Sequence, residues 1–367
     1  MNRLSVVSAA YPFAHVGPDA IGGAEQILGI IDRALVQAGH RSLVIGSEGS
    51  QVSGELFRVS RTEGEIGDEE RRRTYREVRE LLEKVLRKES VDIVHMHGPD
   101  FYEYLPTASV PVLATLHLPL AWYPPEIFRM DRPHTFLNGV SACQMRSMER
   151  VPANLLLPIE NGIRMEDFGE FSPDVKRVKR RFLLSFGRIC PEKGFHLALD
   201  AARKADFPIF LGGHVFQYRS HVEYFRSEIA PRLSRSRRFI GPIGLKRKRR
   251  LIAAARCVLI PSLAAETSSL VAMESLSLGT PVIAFRSGAL PEIVEHGRTG
   301  FVVRDVDEMV EAIRRIGEID PADCVRAARS RFSSGRMVRD YFRAYADILA
   351  ASVPQSSCQS SGIRKVA

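Results

Sequence analysis

The sequence predicts an α/β protein made of two doubly wound domains. Its 367 residues exceed one ordinary core and suit two domains of roughly 150–200 residues each. Short runs rich in β-branched residues and leucine alternate with longer, charged amphipathic stretches along the whole chain. Near-continuous apolar strands separated by helices are typical of a parallel sheet that is buried on both faces. A hydrophobic share of 45% and a charged share of 26% are ordinary for a globular protein and argue against a fibrous or disordered chain.

The predicted strands fall into two sets, one in each half of the chain. The first set lies at 4–10, 42–46, 92–97, 112–117, 136–141 and 155–159, and the second at 182–186, 209–212, 238–240, 257–260, 282–285 and 301–303. Amphipathic helices are predicted at 25–38, 69–88, 193–204, 218–233, 246–255, 307–316 and 336–350. Polar and turn residues at 161–174 mark the boundary between the two domains. We therefore expect a first domain at 1–165, a second at 166–335, a C-terminal helix at 336–352 and a disordered, Ser-rich tail at 353–367.

Apolar segments and cysteines indicate the compartment. No apolar run reaches the ~18–20 residues that span a bilayer, so we expect no integral membrane segment. The apolar stretch at 4–10 is interpreted as a first buried strand rather than as a signal peptide. Five cysteines stand singly at positions 143, 190, 257, 324 and 358, a pattern that favours neither a disulfide framework nor a zinc site. We therefore expect a cytoplasmic protein.

The net charge of +9 is concentrated in the second half of the chain. Residues 1–165 contain 18 basic and 21 acidic residues, a net −3, whereas residues 166–367 contain 34 and 22, a net +12. The basic clusters lie at 176–181, 232–238 and 246–250. We interpret them as solvated faces, with contact to an anionic membrane surface as the alternative. Aromatic residues do not interleave with these clusters, so nucleic-acid binding is not expected.

Several familiar fingerprints are missing from the sequence. It has no G-x-G-x-x-G after a strand, no G-x-x-x-x-G-K-[ST], no H-E-x-x-H and no G-x-S-x-G. The sequence therefore contains no motif that would indicate a dehydrogenase, a P-loop NTPase, a zinc protease or an α/β-hydrolase.

The segment 261–285 reads as a strand end, a loop, a helix and a further strand. Thr267 and Ser268 are good N-cap residues for that helix, and Gly279 is a good stop. Glu266 and Glu274 can converge on one ligand only if the first lies in the loop and the second two turns into the helix. Free amides at the helix start would then bind a diphosphate, and the carboxylates would accept hydrogen bonds from sugar or ribose hydroxyls. The alternative is a solvated Glu274 and a Glu266 that merely complements the helix dipole.

A second informative segment covers residues 181–199. A strand ends at Gly187 and a helix follows, which places Arg188 and Lys193 at the carboxyl end of a parallel strand, where α/β proteins bind ligands. Arginine can fork onto phosphate oxygens and lysine can supply a point charge. The alternative is a pair of ordinary surface cations. Cys190 between them is interpreted as a packing residue.

These segments together resemble the retaining glycosyltransferases of family 4 and their wider GT-B clan. The matching motifs of the second half are, in order, Gly187-Arg188, Glu192-Lys193-Gly194, Glu266 with Glu274, 279–284, 288–294 and 297–303. The first half matches more loosely, through Gly22-Gly23-Ala24-Glu25, 92–97, Thr115-Leu116-His117 and 160–163. The resemblance runs from about residue 5 to residue 350. It implies two Rossmann-like domains that face a central cleft, with the C-terminal helix packed back on the first domain.

The resemblance also implies a role for each matching residue. Arg188 and Lys193 would neutralise the donor diphosphate in place of a divalent metal, and neither a metal nor a cofactor is expected. Glu274 would hold the ribose hydroxyls, Glu266 would contact the transferred sugar, and His117 would approach that sugar from the first domain. The remaining substrate contacts would come from Gly22, Gly23, Thr267, Ser268, Ser269 and Leu270, largely through backbone amides. Many relatives have a glycine-aromatic-glycine run where this chain has residues 267–269.

The expected activity is transfer of a hexosyl unit from a UDP- or GDP-sugar to a hydroxyl acceptor with retention of configuration, in bacterial glycan or glycoconjugate synthesis. The acceptor would be a glycan, a lipid-linked molecule or a small molecule, and peripheral contact with the inner membrane surface stays open. Two alternatives are a nucleotide-sugar epimerase or phosphorylase on the same fold, and a nucleotide-sugar-binding protein without turnover.

Two further features have simpler interpretations. The D-x-D at 305–307 follows a strand and opens a helix, which favours helix capping over metal binding. His95 and His97 alternate on a strand end without a cysteine or carboxylate at ligand spacing. We expect one of them to be a core histidine and the other to face the cleft.

Overall fold

A computed structural model describes residues 3–62, 64, 66–148, 151–169 and 182–352 of the chain. The fold divides into two compact units, one formed by Met1–Asn161 with Gly335–Ala367 and the other by Gly162–Ser334. The predicted disordered tail at 353–367 and the basic cluster at 176–181 lie outside the described residues. Among the residues that are described, no helix has both the length and the apolar character needed to cross a bilayer.

The described part of the first unit is built on a parallel sheet of six strands. These strands are β1 (Ser5–Ala9), β2 (Arg41–Ser47), β3 (Glu55–Val59), β4 (Ile93–Met96), β5 (Val112–Leu116) and β6 (Thr135–Gly139). The spatial order is β3-β2-β1-β4-β5-β6. The accompanying helices are α1 (Gly23–Gln37), α2 (Asp68–Lys88) and α3 (Ala142–Arg146). The strands β1, β2, β4 and β5 are almost wholly buried. This is typical of the inner strands of a doubly wound sheet, whose two faces are covered by helices.

The described part of the second unit repeats this architecture. Its strands are β7 (Leu183–Arg188), β8 (Ile209–His214), β9 (Arg237–Gly241), β10 (Cys257–Ile260), β11 (Val282–Phe285) and β12 (Gly300–Val303), in the order β12-β11-β10-β7-β8-β9. Its helices are α4 (Phe195–Lys204), α5 (Arg219–Tyr224), α6 (Leu245–Ala254), α7 (Leu270–Ser277), α8 (Leu290–Ile293), α9 (Val306–Arg315) and α10 (Pro321–Arg331). The strand order reverses between β1 and β4 in one sheet and between β7 and β10 in the other. Ligands of such sheets bind at this switch point, beyond the carboxyl ends of the strands.

The last helix, α11 (Ser334–Ser352), packs on the first unit, as predicted. Its Tyr341 and Tyr345 are fully buried, and the Tyr345 hydroxyl lies 2.7 Å from Nδ1 of His95 on β4. The ring of Phe342 meets that of His40 edge-on at 5.3 Å. Aromatic side chains at helical spacing thus bind the C-terminal helix to the first sheet.

The structure differs from the predicted secondary structure at one missed strand and two predicted elements. The edge strand β3 was missed because its alternation is weak and its first residue, Glu55, is exposed. The strand predicted at 155–159 reduces to an isolated bridge between Leu155 and Leu137, since Pro158 cannot donate to a ladder. The helix predicted at 218–233 ends at Tyr224 and continues as a π turn and a 3₁₀ turn, the latter containing Pro231.

Candidate functional site

The topology of the second sheet brings two predicted segments together. β7 pairs directly with β10, so Arg188 at the end of β7 lies beside the loop that follows β10. The backbone N–H of Leu263 in that loop donates to the carbonyl oxygen of Glu192 at 2.8 Å. Glu266 lies in the same loop and Glu274 lies within α7, the placement that convergence on one ligand requires.

Gly194 allows the two loops to approach this closely. Its φ of +61° lies in the left-handed region, and a Cβ at this position would lie 2.2 Å from the carbonyl oxygen of Pro261. A side chain here would force apart the turn Pro191–Lys193 and the loop after β10. The glycine of the Glu-Lys-Gly motif is therefore required by backbone packing.

Lys193 and Glu266 form an ion pair at this junction. Nζ of Lys193 lies 2.5 Å from Oε1 of Glu266, and the Ser262 hydroxyl donates to the same oxygen. The Lys193 side chain is 31% exposed and that of Glu266 is 10% exposed. The backbone of Glu266 is held as well, because the N–H of Ala289 donates to its carbonyl oxygen at 2.7 Å. The lysine is thus close to solvent, while the carboxylate is anchored on two sides.

Glu274 is buried in α7, so its interpretation as a solvated helix residue is wrong. Its side chain is 4% exposed, and Oε1 lies 2.6 Å from Nζ of Lys248 on α6. The helix begins at the buried Leu270, and its N-cap is Ser269, whose hydroxyl accepts from the N–H of Ala272. The predicted caps, Thr267 and Ser268, lie two residues and one residue too early, respectively.

Several buried polar atoms without a hydrogen-bond partner lie at or near these residues. In the described part of the second unit they are Arg188 Nε, Glu192 Oε2, His221 Nδ1, Arg256 Nε, Ser268 Oγ and Glu274 Oε2. Arg256 precedes β10 and so belongs to the opposite edge of the sheet. Arg188, Glu192, Ser268 and Glu274 belong to the two segments that are predicted to bind the donor. His221 lies outside those segments but interacts electrostatically with Arg188 and Glu192. Orphaned buried polar groups are rare in native proteins, and a polar ligand would supply the missing partners.

A thiol, a carboxylate and an imidazole also meet in this unit. Ligand atoms of Cys190, Glu192 and His221 lie within 4.8 Å of one another. Their residue types suit zinc, but the charge of Arg188 acts on all three groups. Burial raises the pKa of the Cys190 thiol to about 11, and burial together with Arg188 lowers the pKa of His221. Because the guanidinium already provides the positive charge of this cluster, we assign no metal to it.

Three histidines cluster at the carboxyl ends of β4 and β5 in the first unit. Nδ1 of His97 lies 3.1 Å from Nε2 of His117, and Nε2 of His95 lies 2.8 Å from the hydroxyl of Thr115. Burial lowers the pKa of His117 to about 4 and holds the pKa values of His95 and His97 well below 6.5, so all three rings are neutral at pH 7. His97 is 2% exposed and His95 is fully buried. The prediction of a core histidine is confirmed for His95, whereas the prediction that the other histidine faces the cleft stays a prediction.

The predicted glycines of the first unit lie at the start of α1. Gly22 is the N-cap and Gly23 the first helical residue. A Cβ on Gly22 would lie 1.8 Å from Oε2 of Glu25, so the buried carboxylate of Glu25 packs against this glycine. A negative group at the first turn complements the helix dipole.

Two other sequence interpretations have clear outcomes. Asp305 caps α9, since its Oδ1 accepts from the N–H of Glu308 at 2.9 Å, which confirms capping. The prediction that Lys248 lies with its neighbours on a solvated face is wrong, because its side chain is only 13% exposed. The sequence does contain a pattern that indicates its burial. Lys248 lies three residues after Leu245 and four before Ile252, so the three side chains share one face of the helix.

Comparisons with known proteins agree with this picture. The family model described as "Glycosyltransferase Family 4" matches residues 21–148, and the one described as "Glycosyl transferases group 1" matches residues 180–318. A D-inositol 3-phosphate glycosyltransferase of Nocardioides sp. is 36% identical over 102 residues, which cover 27% of this chain and 21% of that protein. A glycogen synthase of Mycobacterium tuberculosis is 32% identical over 162 residues, which cover 41% of this chain and 38% of that protein.

The matched segments thus span well under half of those two relatives' own length. Among solved structures, HepE of Anabaena in complex with UDP-glucose superposes with a TM-score of 0.72 at 18% identity, covering 94% of this chain and 100% of that one. That likeness shows a shared fold. From the two family models, the paired six-stranded sheets and the ordered motifs, the chain belongs to the family 4-like glycosyltransferases of the GT-B fold.

Proposed function

We propose that this protein is a retaining, metal-independent glycosyltransferase that transfers a hexosyl unit from a UDP- or GDP-sugar to a hydroxyl acceptor. The observation that carries the proposal is the set of orphaned buried polar atoms on Arg188, Ser268 and Glu274. Diphosphate oxygens would accept from the guanidinium and the Ser268 hydroxyl, and a ribose hydroxyl would donate to the carboxylate. The UDP-glucose complex of HepE supports this class of donor.

Catalysis on this site is mainly electrostatic. Negative charge builds on the diphosphate as its bond to the sugar breaks, and fixed positive groups stabilise that charge in the transition state. Arg188, Lys193 and the amides of Ser268 to Leu270 at the start of α7 would supply this stabilisation. The Lys193 ammonium contacts Glu266 and is partly exposed, so it can exchange that carboxylate for a phosphate oxygen.

The sugar would then be held by the groups that remain. Freed from Lys193, Glu266 accepts hydrogen bonds from sugar hydroxyls while Ser262 keeps its carboxylate in place. Thr267 and Ser269 add polar groups beside it. In the first unit, we assign Gly22, Gly23 and the neutral His117 to sugar contacts. The acceptor hydroxyl attacks on the face from which the diphosphate departs, and a departing phosphate oxygen takes its proton.

The acceptor is proposed as a hydroxyl of a glycan, a lipid-linked molecule or a small molecule in bacterial glycoconjugate synthesis. The basic residues at 232–238 and 246–250 are mostly exposed, apart from Lys248 and a few half-buried side chains. Their contact with an anionic membrane surface stays a prediction.

A thermal-shift screen tests the donor class. We expect one of UDP-glucose, UDP-N-acetylglucosamine, UDP-galactose, GDP-mannose and dTDP-rhamnose to raise the melting temperature, because a ligand at 100 times its Kd stabilises the fold by about 2.7 kcal/mol. The stabilising donor should then yield a glycosylated product only when an acceptor pool is added. A product formed without an acceptor, or with phosphate alone, would favour the epimerase or phosphorylase. Binding without any product would favour a protein that only binds the donor.

A further inference from the structure

Lys248 differs from every other cation of its helix. α6 carries Lys246, Arg247, Arg249 and Arg250, all of which are exposed, whereas the Lys248 side chain is only 13% exposed. A lysine is rarely buried unless its ammonium has a partner. The burial of this one cation within a basic helix therefore needs an explanation that general surface charge does not give.

The partner of Lys248 is the carboxylate that is proposed to receive the ribose. Nζ lies 2.6 Å from Oε1 of Glu274 and 5.7 Å from the centre of the Phe186 ring, at the carboxyl-terminal part of β7. Oε2 of the same carboxylate is buried and has no hydrogen-bond partner. One oxygen is thus occupied by the lysine, and the other is left as a lone acceptor.

An unpartnered carboxylate oxygen in a buried position is costly until a donor reaches it. The lysine compensates the charge of Glu274 but leaves this oxygen unsatisfied, so the pair is incomplete without a further hydroxyl or N–H group. A carboxylate whose one oxygen is fixed also has a fixed orientation, which makes the other oxygen selective for a donor at one position.

We propose that Lys248 is a positioning residue for Glu274: it holds Oε1 so that Oε2 receives a hydroxyl of the donor ribose. This inference rests on the proposed function, since it takes the ligand of Glu274 to be a nucleoside diphosphate. Lys248 thereby determines how strongly the site distinguishes a ribonucleotide from a nucleotide that lacks the ribose hydroxyls. Its effect on binding passes through Glu274, so it should vanish when those hydroxyls are absent.

The test is a comparison of two nucleotides by titration calorimetry. The probes are UDP or GDP, whichever the unaltered protein binds more tightly, and the 2′,3′-dideoxy form of the same nucleotide. We expect the unaltered protein to prefer the ribonucleotide by about tenfold or more, because the dideoxy form leaves Oε2 unsatisfied. In Lys248→Met this preference should fall towards one, mainly through weaker binding of the ribonucleotide. Lys248→Arg, which keeps a cation able to reach Oε1, should retain most of it.

Matched variants separate this role from a structural one. Lys246→Met removes an exposed cation from the same helix and should leave both affinities unchanged. If Lys248→Met is too unstable to study, Lys248→Gln, a shorter neutral side chain that keeps Glu274 in place, should likewise lower the preference. If Lys248 had only a structural role, its replacement would weaken the binding of both nucleotides equally.

Two negative outcomes can be told apart. If the unaltered protein bound neither UDP nor GDP, the proposed function would fail and this inference with it. If the unaltered protein bound the ribonucleotide more tightly than the dideoxy form and Lys248→Met kept the same preference, only the inference about Lys248 would be overturned. Absence of any preference in the unaltered protein would also overturn it.

Discussion

Replacement of Lys193 by alanine is expected to lower the turnover number by about 10²–10³, the usual effect of removing one preorganised charge-stabilising group. The ammonium is the partly exposed member of its ion pair, so it can leave Glu266 and pair with the negative charge that develops on the diphosphate. Its loss should leave the fold intact, because Ser262 still donates to Glu266. Steady-state transfer rates and the melting temperature of the variant check both parts of this prediction.

Lys204 offers a matched control for that variant. It lies in the same unit and also pairs with one carboxylate, since its Nζ is 2.6 Å from Oδ1 of Asp307, but that pair is on the surface. Lys204→Ala should change neither turnover nor stability appreciably, as exposed ion pairs contribute little. Equal turnover in Lys193→Ala and Lys204→Ala would contradict the role assigned to Lys193.

Replacement of Gly288 by alanine is expected to damage both stability and transfer. A Cβ on Gly288 would lie 2.1 Å from the carbonyl oxygen and 2.4 Å from the nitrogen of Glu266, so the backbone that carries this carboxylate must move. The φ of +53° adds the cost of a left-handed conformation. We expect turnover to fall by about 10²-fold, the effect of a displacement of about 1 Å at a catalytic group. Denaturant unfolding should show a loss of about 1–3 kcal/mol beyond the backbone cost.

Gly297 is the appropriate comparison, because it has a φ of +78° and a Cβ there would have no heavy atom within 4 Å. Gly297→Ala should lose only the backbone cost, about 1–2 kcal/mol, and should transfer sugar normally once folded. If the two variants were equally stable and equally active, the close packing of Gly288 on the Glu266 loop would be refuted.

Much of the architecture could be predicted because buried parallel strands produce a strong local signal. Apolar runs such as those of β4 and β10 are buried along their whole length, so a short window of sequence is sufficient to find them. The edge strand β3 lacks that signal, since one side of an edge strand faces solvent. The predicted strand at 155–159 failed for the opposite reason: its apolar residues are real, but Pro158 prevents a regular ladder.

The candidate site was predictable only where one continuous segment carries it. The capping residues Thr267 and Ser268 predicted a helix that starts after Glu266 and contains Glu274, and the two carboxylates lie in a loop and a helix. The lysines that pair with them come from other segments, Lys193 before α4 and Lys248 on α6. Pairing between distant segments depends on strand order, which the sequence does not state. For Lys248 the helix-face spacing with Leu245 and Ile252 was available but was hidden among neighbouring cations.

The histidine cluster of the first unit shows the same limit. His95 and His97 could be seen as neighbours on one strand, but the contact between His97 and His117 arises because β4 and β5 are adjacent in the sheet. Their neutral state follows from burial, which a sequence containing isolated histidines does not reveal.

The most direct test of metal-independent catalysis is to measure sugar transfer by protein that has been stripped of divalent ions. If guanidinium, ammonium and helix amides stabilise the departing diphosphate, the initial rate with the matching sugar nucleotide should be the same in EDTA and in added Mg²⁺ or Mn²⁺. A rate that disappears in EDTA and returns only with a divalent ion would contradict this account.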